Sequence, residues 1–386
     1  MLMFLEGCGG KKEVEQLGFV MGIGIDKGEK PETYNITTQI ALPKSSGGSG
    51  TEMENWTIST EVSTLGGSAE NMGRVLNRIP FGGTTRVVVL GEDLARAGIN
   101  EALDSFQRFY QFRRTIYLVL AKGKAKDILE TQLRTKQLPA LNLLGTIKGQ
   151  TTFSSFPVTR MGHYLTILGR ESQNPVIPTV QSTSLGTQKI EYSKEKGEEL
   201  LLEGAGVFED GKLIDFLTDE ETKGFIWLDN SMKSRYFLAK GENNLVLSAW
   251  IHKTSTKFKI QPDEEGKVGI TFQIKTKASL REIKGQQGAM DINGWNEYTK
   301  TLEPIIAQAI EKECRAAVEK SRKLHADFIG IGRKLEQKDP KYWKQVKDDW
   351  LNQLSDFPVS YDIQVIIENT GLPQYSPISP QKSGQE

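Results

Sequence analysis

The stretch TLEPIIAQAIEKECRAAVEKSRKLHADFIGIG, residues 301–332, decides how the end of this chain folds. Small and apolar residues recur there at helical spacing, which predicts one long amphipathic helix. Its predicted buried stripe consists of Leu302, Ile306, Ala309, Ile310, Cys314, Ala317, Ser321 and Leu324. Charged residues occupy the opposite face, so the stripe must pack against another element. The nearest candidate is the alternating strand predicted at 359–368.

Outward from this helix, the turn at 325–332 leads to a second, shorter predicted helix. Asp339 is placed as its N-cap and Pro340 as its first residue, a pair that favours helix initiation. Trp343 and Trp350 share one face. Because no basic stripe accompanies them, they are interpreted as core anchors and not as a stacking platform for nucleic acid.

Composition narrows the classes of function. The 386 residues suffice for two or three domains, and Lys+Arg and Asp+Glu both number 49. This balance gives no reason to expect a nucleic-acid partner. Cys8 and Cys314 are the two cysteines, and the latter is predicted to be a buried small hydrophobe of the helix stripe. Three scattered histidines and the lack of a Cys-x-x-Cys motif argue against a metal site.

The first eight residues, MLMFLEGC, resemble the end of a signal peptide but are shorter than a complete one. Leu5, Gly7 and Cys8 fit a bacterial lipobox, in which the cysteine becomes lipid-modified, whereas Glu6 fits it poorly. The alternative, an N-terminal segment with an incidental cysteine, stays open on these residues alone. No stretch approaches the roughly 20 apolar residues of a transmembrane helix.

The N-terminal part alternates strands with helices, which indicates an α/β-layered domain up to about residue 180. Bulky residues at 17–25 alternate with glycines at 18, 22 and 24, so this strand is predicted to have one nearly bare face that another backbone can approach. Residues 34–42 and 56–62 are predicted to be its next strands. Ser68 is expected to cap a helix that Pro80 ends.

The middle of the chain has strong local signals. Asp210-Gly211 predicts a two-residue hairpin, and Thr218 with Glu221 predicts a capping box. A helix of barely two turns is expected to end at Gly224, with an apolar strand at 225–228 after it. Residues 257–275 predict an antiparallel pair, and Pro304 is expected in the first turn of the long helix or at a kink.

Few residues suggest catalysis. His325 and Asp327 could form an acid/base couple, but a polar helix terminus is the commoner explanation. Gly330 and Gly332 are explained by backbone conformation, and His163 has no partner that the sequence identifies. No catalytic, cofactor-binding or metal-binding residue is therefore assigned, and the protein is not expected to be an enzyme.

With these residues in view, the chain resembles the Ger(x)C family, the C-subunit lipoproteins of bacterial spore nutrient-germinant receptors. The matching pieces are, in order, Gly7-Cys8, Glu13 and Leu17, GIGID at 22–26, LGE at 90–92, ARAGI at 95–99, Arg113-Arg114, AKGKA at 121–125, GAGVF at 204–208, TDEETKG at 218–224, ADFIGIG at 326–332, PKYW at 340–343, Trp350 and TGL at 370–372. Each piece is short, but their order and spacing span nearly the whole chain.

The resemblance implies a non-catalytic lipoprotein that is needed for nutrient-triggered germination. It implies a diacylglycerol anchor on Cys8, a place on the outer face of the spore inner membrane, and two integral-membrane partners, the A and B subunits. It implies no cofactor and no nucleic acid. One departure is Gly9-Gly10 after the cysteine, where the family usually has Trp-Asp.

The expected fold class is α+β, with three mixed domains, mainly antiparallel sheets packed with helices, and a long C-terminal amphipathic helix. The predicted division is a lipobox remnant and tether at 1–16, an N-terminal domain at 17–180, a β-rich middle domain at 181–250, a C-terminal domain at 251–372 and a disordered tail at 373–386. Two alternatives stay open: an extracytoplasmic lipoprotein that itself captures a nutrient, and an enzyme acting on spore wall or lipid through His163 or His325.

Overall fold

The computed structural model describes residues 13–42, 54–150, 152–183, 197–262, 267–284 and 292–368. Cys8, the serine- and glycine-rich segment at 45–50 and the tail at 373–386 lie outside these ranges. The chain divides into two compact units. Unit 1 comprises Met1–Ile147, Val158–Gly169 and Val176–Ile214, and unit 2 comprises Lys148–Pro157, Arg170–Pro175 and Asp215–Glu386. The three predicted domains remain a prediction.

Unit 1 is built on a mixed sheet of nine strands, the last of which ends just beyond the unit. The strands are β1 Leu17–Lys27, β2 Tyr34–Leu42, β3 Glu54–Val62, β4 Ile79–Phe81, β5 Val87–Leu90, β6 Tyr117–Ala121, β7 Val176–Thr183, β8 Glu199–Glu209 and β9 Lys212–Leu217. Their order is β3-β2-β1-β5-β6-β7-β8-β9, with β4 beside the start of β1. The centre, from β1 through β5 and β6 to β7, is parallel, and antiparallel strands flank it.

Six helices pack with this sheet: α1 Leu65–Val75, α2 Glu92–Ala97, α3 Asn100–Arg108, α4 Ala125–Glu130, α5 Pro139–Gly149 and α6 Met161–Leu168. The predicted bare face of β1 is confirmed. A Cβ on Gly22 would lie 2.5 Å from that of Ala140, and one on Gly24 would lie 3.2 Å from that of Ala125. These glycines let α4 and α5 approach the strand backbone closely.

The predicted start and end of α1 were wrong. Thr64 caps the helix, because its hydroxyl accepts the backbone N–H of Gly67 at 3.2 Å, while Ser68 is buried inside the first turns. The helix ends at Val75, and Pro80 lies in β4. Ile79, the last apolar position of the predicted helix, instead begins the three-residue strand β4, which pairs with β1.

Unit 2 combines a four-stranded sheet with helices. Its elements are α7 Asp219–Leu228, β10 Arg235–Lys240, β11 Val246–Pro262, β12 Val268–Lys284, α8 Ile292–Leu324, α9 Ile331–Lys338, α10 Pro340–Val346, α11 Trp350–Gln353 and β13 Val359–Ile367. The order is β10-β11-β12-β13, antiparallel except for the parallel pair β12 and β13. Since parallel neighbours need a crossover, α8 to α11 make that connection. The α+β class is confirmed.

The long predicted helix is α8, and six of the eight residues of its predicted stripe are buried, while Ala309 and Leu324 are half-buried. Exposure is 1% or less at Leu302, Ile306, Ile310, Cys314, Ala317 and Ser321. Ser321 is tolerated in this stripe because its hydroxyl donates to the carbonyl of Ala326 at 2.7 Å. Pro304 lies inside α8 and is exposed, so the first of its two expected positions, the first turn, was wrong, and the alternative of a kink stays a prediction.

The predicted strand at 225–228 was also wrong, because α7 continues to Leu228. The capping box of Thr218 and Glu221 starts this helix as predicted. Gly224 does not end it. A Cβ there would lie 1.9 Å from the backbone oxygen of Glu313, so the glycine serves the close crossing of α7 and α8. A tertiary contact, not a C-cap, explains this glycine.

Candidate functional site

The turn between α8 and α9 is organised by the carboxylate of Asp327, which is fully buried. One oxygen accepts the backbone N–H of Ile331 at 2.9 Å, and the other accepts that of Gly332 at 2.6 Å. The second oxygen also accepts the indole N–H of Trp350 at 3.0 Å. Asp327 thereby satisfies the first amides of α9, which have no partners within that helix. It also holds α11 to the same point.

Two glycines allow the turn to close around this carboxylate. Gly330 is the N-cap of α9 and has a φ of 70°, a left-handed conformation that favours glycine. At Gly332, a Cβ would lie 2.7 Å from Nε1 of Trp350 and 2.9 Å from the ring of Trp343. Any side chain at 332 would thus displace the ring of Trp343 and the Trp350 indole that binds Asp327.

The two predicted anchor tryptophans are buried as expected. Asp339 caps α10 by accepting the N–H of Tyr342 at 3.0 Å, with Pro340 at the first helical position. The ring centroids of Trp343 and Trp350 are 5.7 Å apart, and those of Trp350 and Phe357 are 5.2 Å apart, both edge-to-face. Such geometry suits aromatic packing in a core.

The possible acid/base couple of His325 and Asp327 is not formed. His325 is exposed with a φ of 48°, whereas the hydrogen bonds of the Asp327 carboxylate go to α9 and Trp350. Burial raises the pKa of Asp327, and its backbone and indole hydrogen bonds oppose that rise. The arrangement binds a helix terminus and offers no proton to solvent. The structural explanation of this turn is confirmed.

Sequence reasoning missed Lys334, a cation beside the same turn. Its ammonium donates to the carbonyl of Ile329 at 2.7 Å and lies 5.7 Å from the ring centroid of Phe272. Burial lowers its pKa, and the charges of Asp229 and Asp327 oppose the shift. In the sequence it looks like one of many surface lysines of an amphipathic helix, so no local signal marked it.

A second missed network lies between α8 and the strand β10. Arg235 makes two hydrogen bonds to the carboxylate of Glu313, at 2.8 and 3.1 Å. The indole N–H of the buried Trp227 donates to the same carboxylate at 2.9 Å. Both ionic side chains are nearly buried, at 9% and 13% exposure. Since buried charges must be paired, this triad fixes α7, α8 and β10 to each other.

In unit 1, Asp26 at the end of β1 plays a comparable part. Its carboxylate accepts the backbone N–H of Ala125 at 2.7 Å and that of Lys126 at 2.9 Å, the first residues of α4. Burial raises the pKa of Asp26, and the two backbone bonds oppose the rise. The motif GIGID at 22–26 is thus a strand with a bare face and a terminal helix-capping carboxylate.

The remaining candidates do not converge on a catalytic site. His163 is exposed on α6 in unit 1, and Cys314 is fully buried in α8, where burial raises the pKa of its thiol. Cys8, the predicted lipidation site, lies outside the described residues. Within the described ranges, no group of three or more His, Cys, Asp or Glu residues could hold a metal ion. No helix in those ranges has the length and apolarity to cross a membrane.

Two family models match this chain in succession. Residues 10–182 match the spore germination protein N-terminal domain, and residues 203–371 match the spore germination B3/GerAC-like C-terminal domain. Together they account for nearly all of the chain, including the GIGID strand and the Asp327 turn.

Similar whole proteins carry matching descriptions. Spore germination protein B3 of Bacillus subtilis is 27% identical over 383 residues, which cover 96% of each chain. Spore germination protein KC of the same organism is 25% identical over 389 residues, covering 96% of this chain and 94% of that one. The crystal structure of the GerBC protein, 22% identical, superimposes with a TM-score of 0.54 over 92% of this chain and all of that one, which supports the same fold.

Proposed function

The chain belongs to the GerAC-like family of spore germination proteins, and we propose that it is a lipid-anchored, non-catalytic subunit of a nutrient-germinant receptor. The observation that carries the proposal is the ordered match of both family domains across residues 10–182 and 203–371. Relatives aligned over almost their whole length are spore germination proteins, which supports a role in germination.

The structure contributes a physical reason to favour a non-catalytic role. The two buried aspartates, Asp26 and Asp327, accept hydrogen bonds from helix amino termini and so are committed to holding the fold. The buried pair of Arg235 and Glu313 is likewise saturated by mutual contact and by Trp227. These groups stabilise a scaffold, as expected of a subunit that transmits or supports a signal.

In this proposal, Cys8 carries a diacylglycerol anchor that holds the protein on the outer face of the spore inner membrane. Its partners there are two integral-membrane subunits of the receptor. One acyl chain holds a protein only marginally, whereas two chains together with protein partners give firm attachment.

Metabolic labelling with a tagged palmitate tests the anchor. We expect label in the wild-type protein, none in Cys8→Ala, and full label in Cys314→Ala, since that thiol is fully buried in α8. Equal labelling of wild type and Cys8→Ala would refute the anchor. Co-purification from spore membranes then tests the partners: the anchored chain should bring down two integral-membrane proteins.

Calorimetry distinguishes the proposed scaffold role from the alternative, in which the lipoprotein itself captures the nutrient. Candidate amino acids and sugars are titrated into the purified chain. A saturable signal would favour direct binding, whereas no heat beyond dilution would favour the scaffold role proposed here.

A further inference from the structure

Four large apolar side chains are exposed at the end of unit 1 where β1 begins. Val14 is 55% exposed, Trp56 41%, Val75 62% and Ile79 41%. We call these four residues the apolar rim. Single exposed apolar residues are ordinary on protein surfaces, whereas a group of them on one edge is a candidate contact surface.

Strand pairing brings the rim together. Val14 lies in a 3₁₀ turn directly before β1, and Ile79 pairs with Leu17, the first residue of β1. Trp56 pairs with Ile40, which pairs with Val20 near the same end of β1. These three rim residues therefore lie near one end of one sheet. Trp56 shares the face of Val20, and Ile79 lies on the opposite face, that of Leu17, so a flat surface can meet both only end-on.

Helix α1 adds the fourth residue. Gly67 lies against Val62, and Asn71 donates to Thr60 at 3.0 Å. The helix therefore runs antiparallel to β3, toward the first residues of that strand. Continued by one turn, it places Val75 at the level of the first half of β3. A shallow groove of about 660 Å³ separates the end of this helix from the 3₁₀ turn, and Ile79 and Arg78 line it.

The opposite end of the same sheet has a different character. The turn between β1 and β2 and its surroundings expose Lys27, Glu29, Lys30, Glu32 and Glu61. Along β1, ten steps of roughly 3.3 Å put Lys27, at this charged end, about 33 Å from Leu17, the residue that Ile79 pairs with. Along β3, Glu61 is five residues, or roughly 17 Å, from Trp56. Both ends of the sheet carry charged residues, and the end where β1 begins also exposes the four apolar side chains of the rim.

The anchor proposed above is attached close to the end that carries the rim. Glu13 is the first described residue, and Cys8 precedes it by five positions. A chain spans at most about 3.6 Å per residue, so a lipid on Cys8 must lie within roughly 18 Å of Glu13. The charged end cannot be brought to the lipid surface by so short a tether without turning the rim along that surface too.

We propose that the apolar rim rests on the lipid bilayer, inserting its side chains at the level of the headgroups. This inference relies on the proposed lipidation of Cys8. Trp56 suits such a position, because an indole has an apolar body and a polar N–H. Arg74 and Arg78 border the rim, but Glu13, Glu15 and Glu70 do as well, and Glu70 pairs with Arg74 at 2.6 Å. The contact is therefore mainly apolar and weakly dependent on salt.

Photo-crosslinking from vesicles tests the inference. The purified full chain is coupled through Cys8 to vesicles of phosphatidylcholine and phosphatidylglycerol that contain a maleimide lipid, which supplies an anchor whether or not cells lipidate Cys8. The other thiol, Cys314, is fully buried and does not compete. Benzoylphenylalanine replaces Ile79 in one sample and Glu29, at the charged end, in the other.

We expect lipid adducts at position 79 to exceed those at position 29 at least fivefold, in 0.1 M and in 1 M NaCl alike. Equal yields, or more adduct at position 29, would overturn the proposal. If the label test for Cys8 fails but adducts at 79 dominate, the anchor is wrong and the lipid-facing surface stands. If labelling succeeds and the yields are equal, only the surface is wrong.

Hydrogen exchange gives a second readout on the chain without benzoylphenylalanine. Coupling to vesicles should slow exchange in residues 73–80 by several fold and leave β5 unchanged. Val75→Asp with Ile79→Asp should lose that protection, while Glu29→Ala, the matched control at the charged end, should keep it. Protection retained in the aspartate variant would count against the rim.

Discussion

Asp26 in unit 1 and Asp327 in unit 2 have the same structural role, since each binds the amino terminus of a helix. Each buried carboxylate accepts the first backbone amides of a helix that does not contain it, α4 for Asp26 and α9 for Asp327. Each depends on a glycine beside it. A Cβ on Gly91 would lie 2.0 Å from an oxygen of Asp26, and one on Gly332 would lie 2.7 Å from the indole nitrogen that binds Asp327.

The two sites differ in sequence distance and in depth. Asp327 reaches amides only four and five positions ahead, whereas Asp26 reaches amides 99 and 100 positions ahead. Asp327 is fully buried and also bound by Trp350, while Asp26 is 7% exposed. A helix-capping carboxylate thus closes a local turn in unit 2. In unit 1 it joins segments that are distant in sequence, and there it is less protected from solvent.

The largest effect is expected for Asp327→Ala. Three buried donors, two amides and the indole of Trp350, would lose their acceptor with no access to water. We expect a loss of about 3–5 kcal/mol in the free energy of unfolding. Urea denaturation followed by tryptophan fluorescence measures it, because Trp343 and Trp350 lie in this unit. Asp348→Ala, at an exposed position near the same helices, is the control and should cost under about 0.5 kcal/mol.

A smaller loss is expected for Asp26→Ala, about 2–3 kcal/mol, because two donors are released and water can partly replace the carboxylate. Hydrogen exchange should quicken in α4 and leave α9 unchanged, while Asp327→Ala should do the reverse. A variant that loosens both helices equally would contradict two independent caps.

The sequence reveals the unit 2 site better than the unit 1 site for a physical reason. Helical periodicity and local caps act over a few residues, so the stripe of α8, the N-cap Asp339 and the capping box at Thr218 could be predicted. The turn residues Asp327, Gly330 and Gly332 were likewise interpreted correctly as structural, because their partners are near in sequence.

Long-range contacts explain most of what the sequence did not reveal. Gly224 resembles a C-cap, but its reason is the backbone of Glu313 in another helix. Asp26 resembles an ordinary turn residue until α4 is brought beside it by the parallel sheet. The charge of Arg235 looks like a surface charge until β10 packs beside Glu313 of α8, and that of Lys334 until α9 packs beside the ring of Phe272 in β12. Such residues carry no local pattern that distinguishes them from exposed ones.

The glycines provide a finer test of the comparison. Gly91→Ala should cost about 2 kcal/mol, because the new methyl group displaces the Asp26 carboxylate from the amides of α4. In the double variant with Asp26→Ala, the methyl group has less to displace. The loss of stability in the double variant should therefore be about 1 kcal/mol smaller than the sum of the two single losses. Gly145→Ala is the matched control, since a Cβ there meets nothing within 4 Å. Strict additivity would show that Gly91 acts independently of Asp26.

The smallest expected effect is a pH dependence of stability, which should be stronger for the fully buried Asp327 than for Asp26. Burial raises the pKa of both carboxyl groups above the ordinary 3.8. The stability contributed by such a group is fully present below its unfolded pKa and is lost as the pH rises through its folded pKa. Relative to Asp327→Asn, which does not titrate, the wild type should therefore lose stability from pH 4 toward pH 7.

The corresponding loss relative to Asp26→Asn should be smaller, because Asp26 keeps some contact with water. Urea denaturation at pH 4, 5, 6 and 7 in constant ionic strength gives both differences, with Asp348→Asn as a control for removing one surface charge. If the free energy of unfolding of the wild type instead rises with pH relative to that of Asp327→Asn, the amide and indole hydrogen bonds stabilise the carboxylate more than burial destabilises it. That result would make Asp327 an ionised cap and reverse the expected order of the two sites.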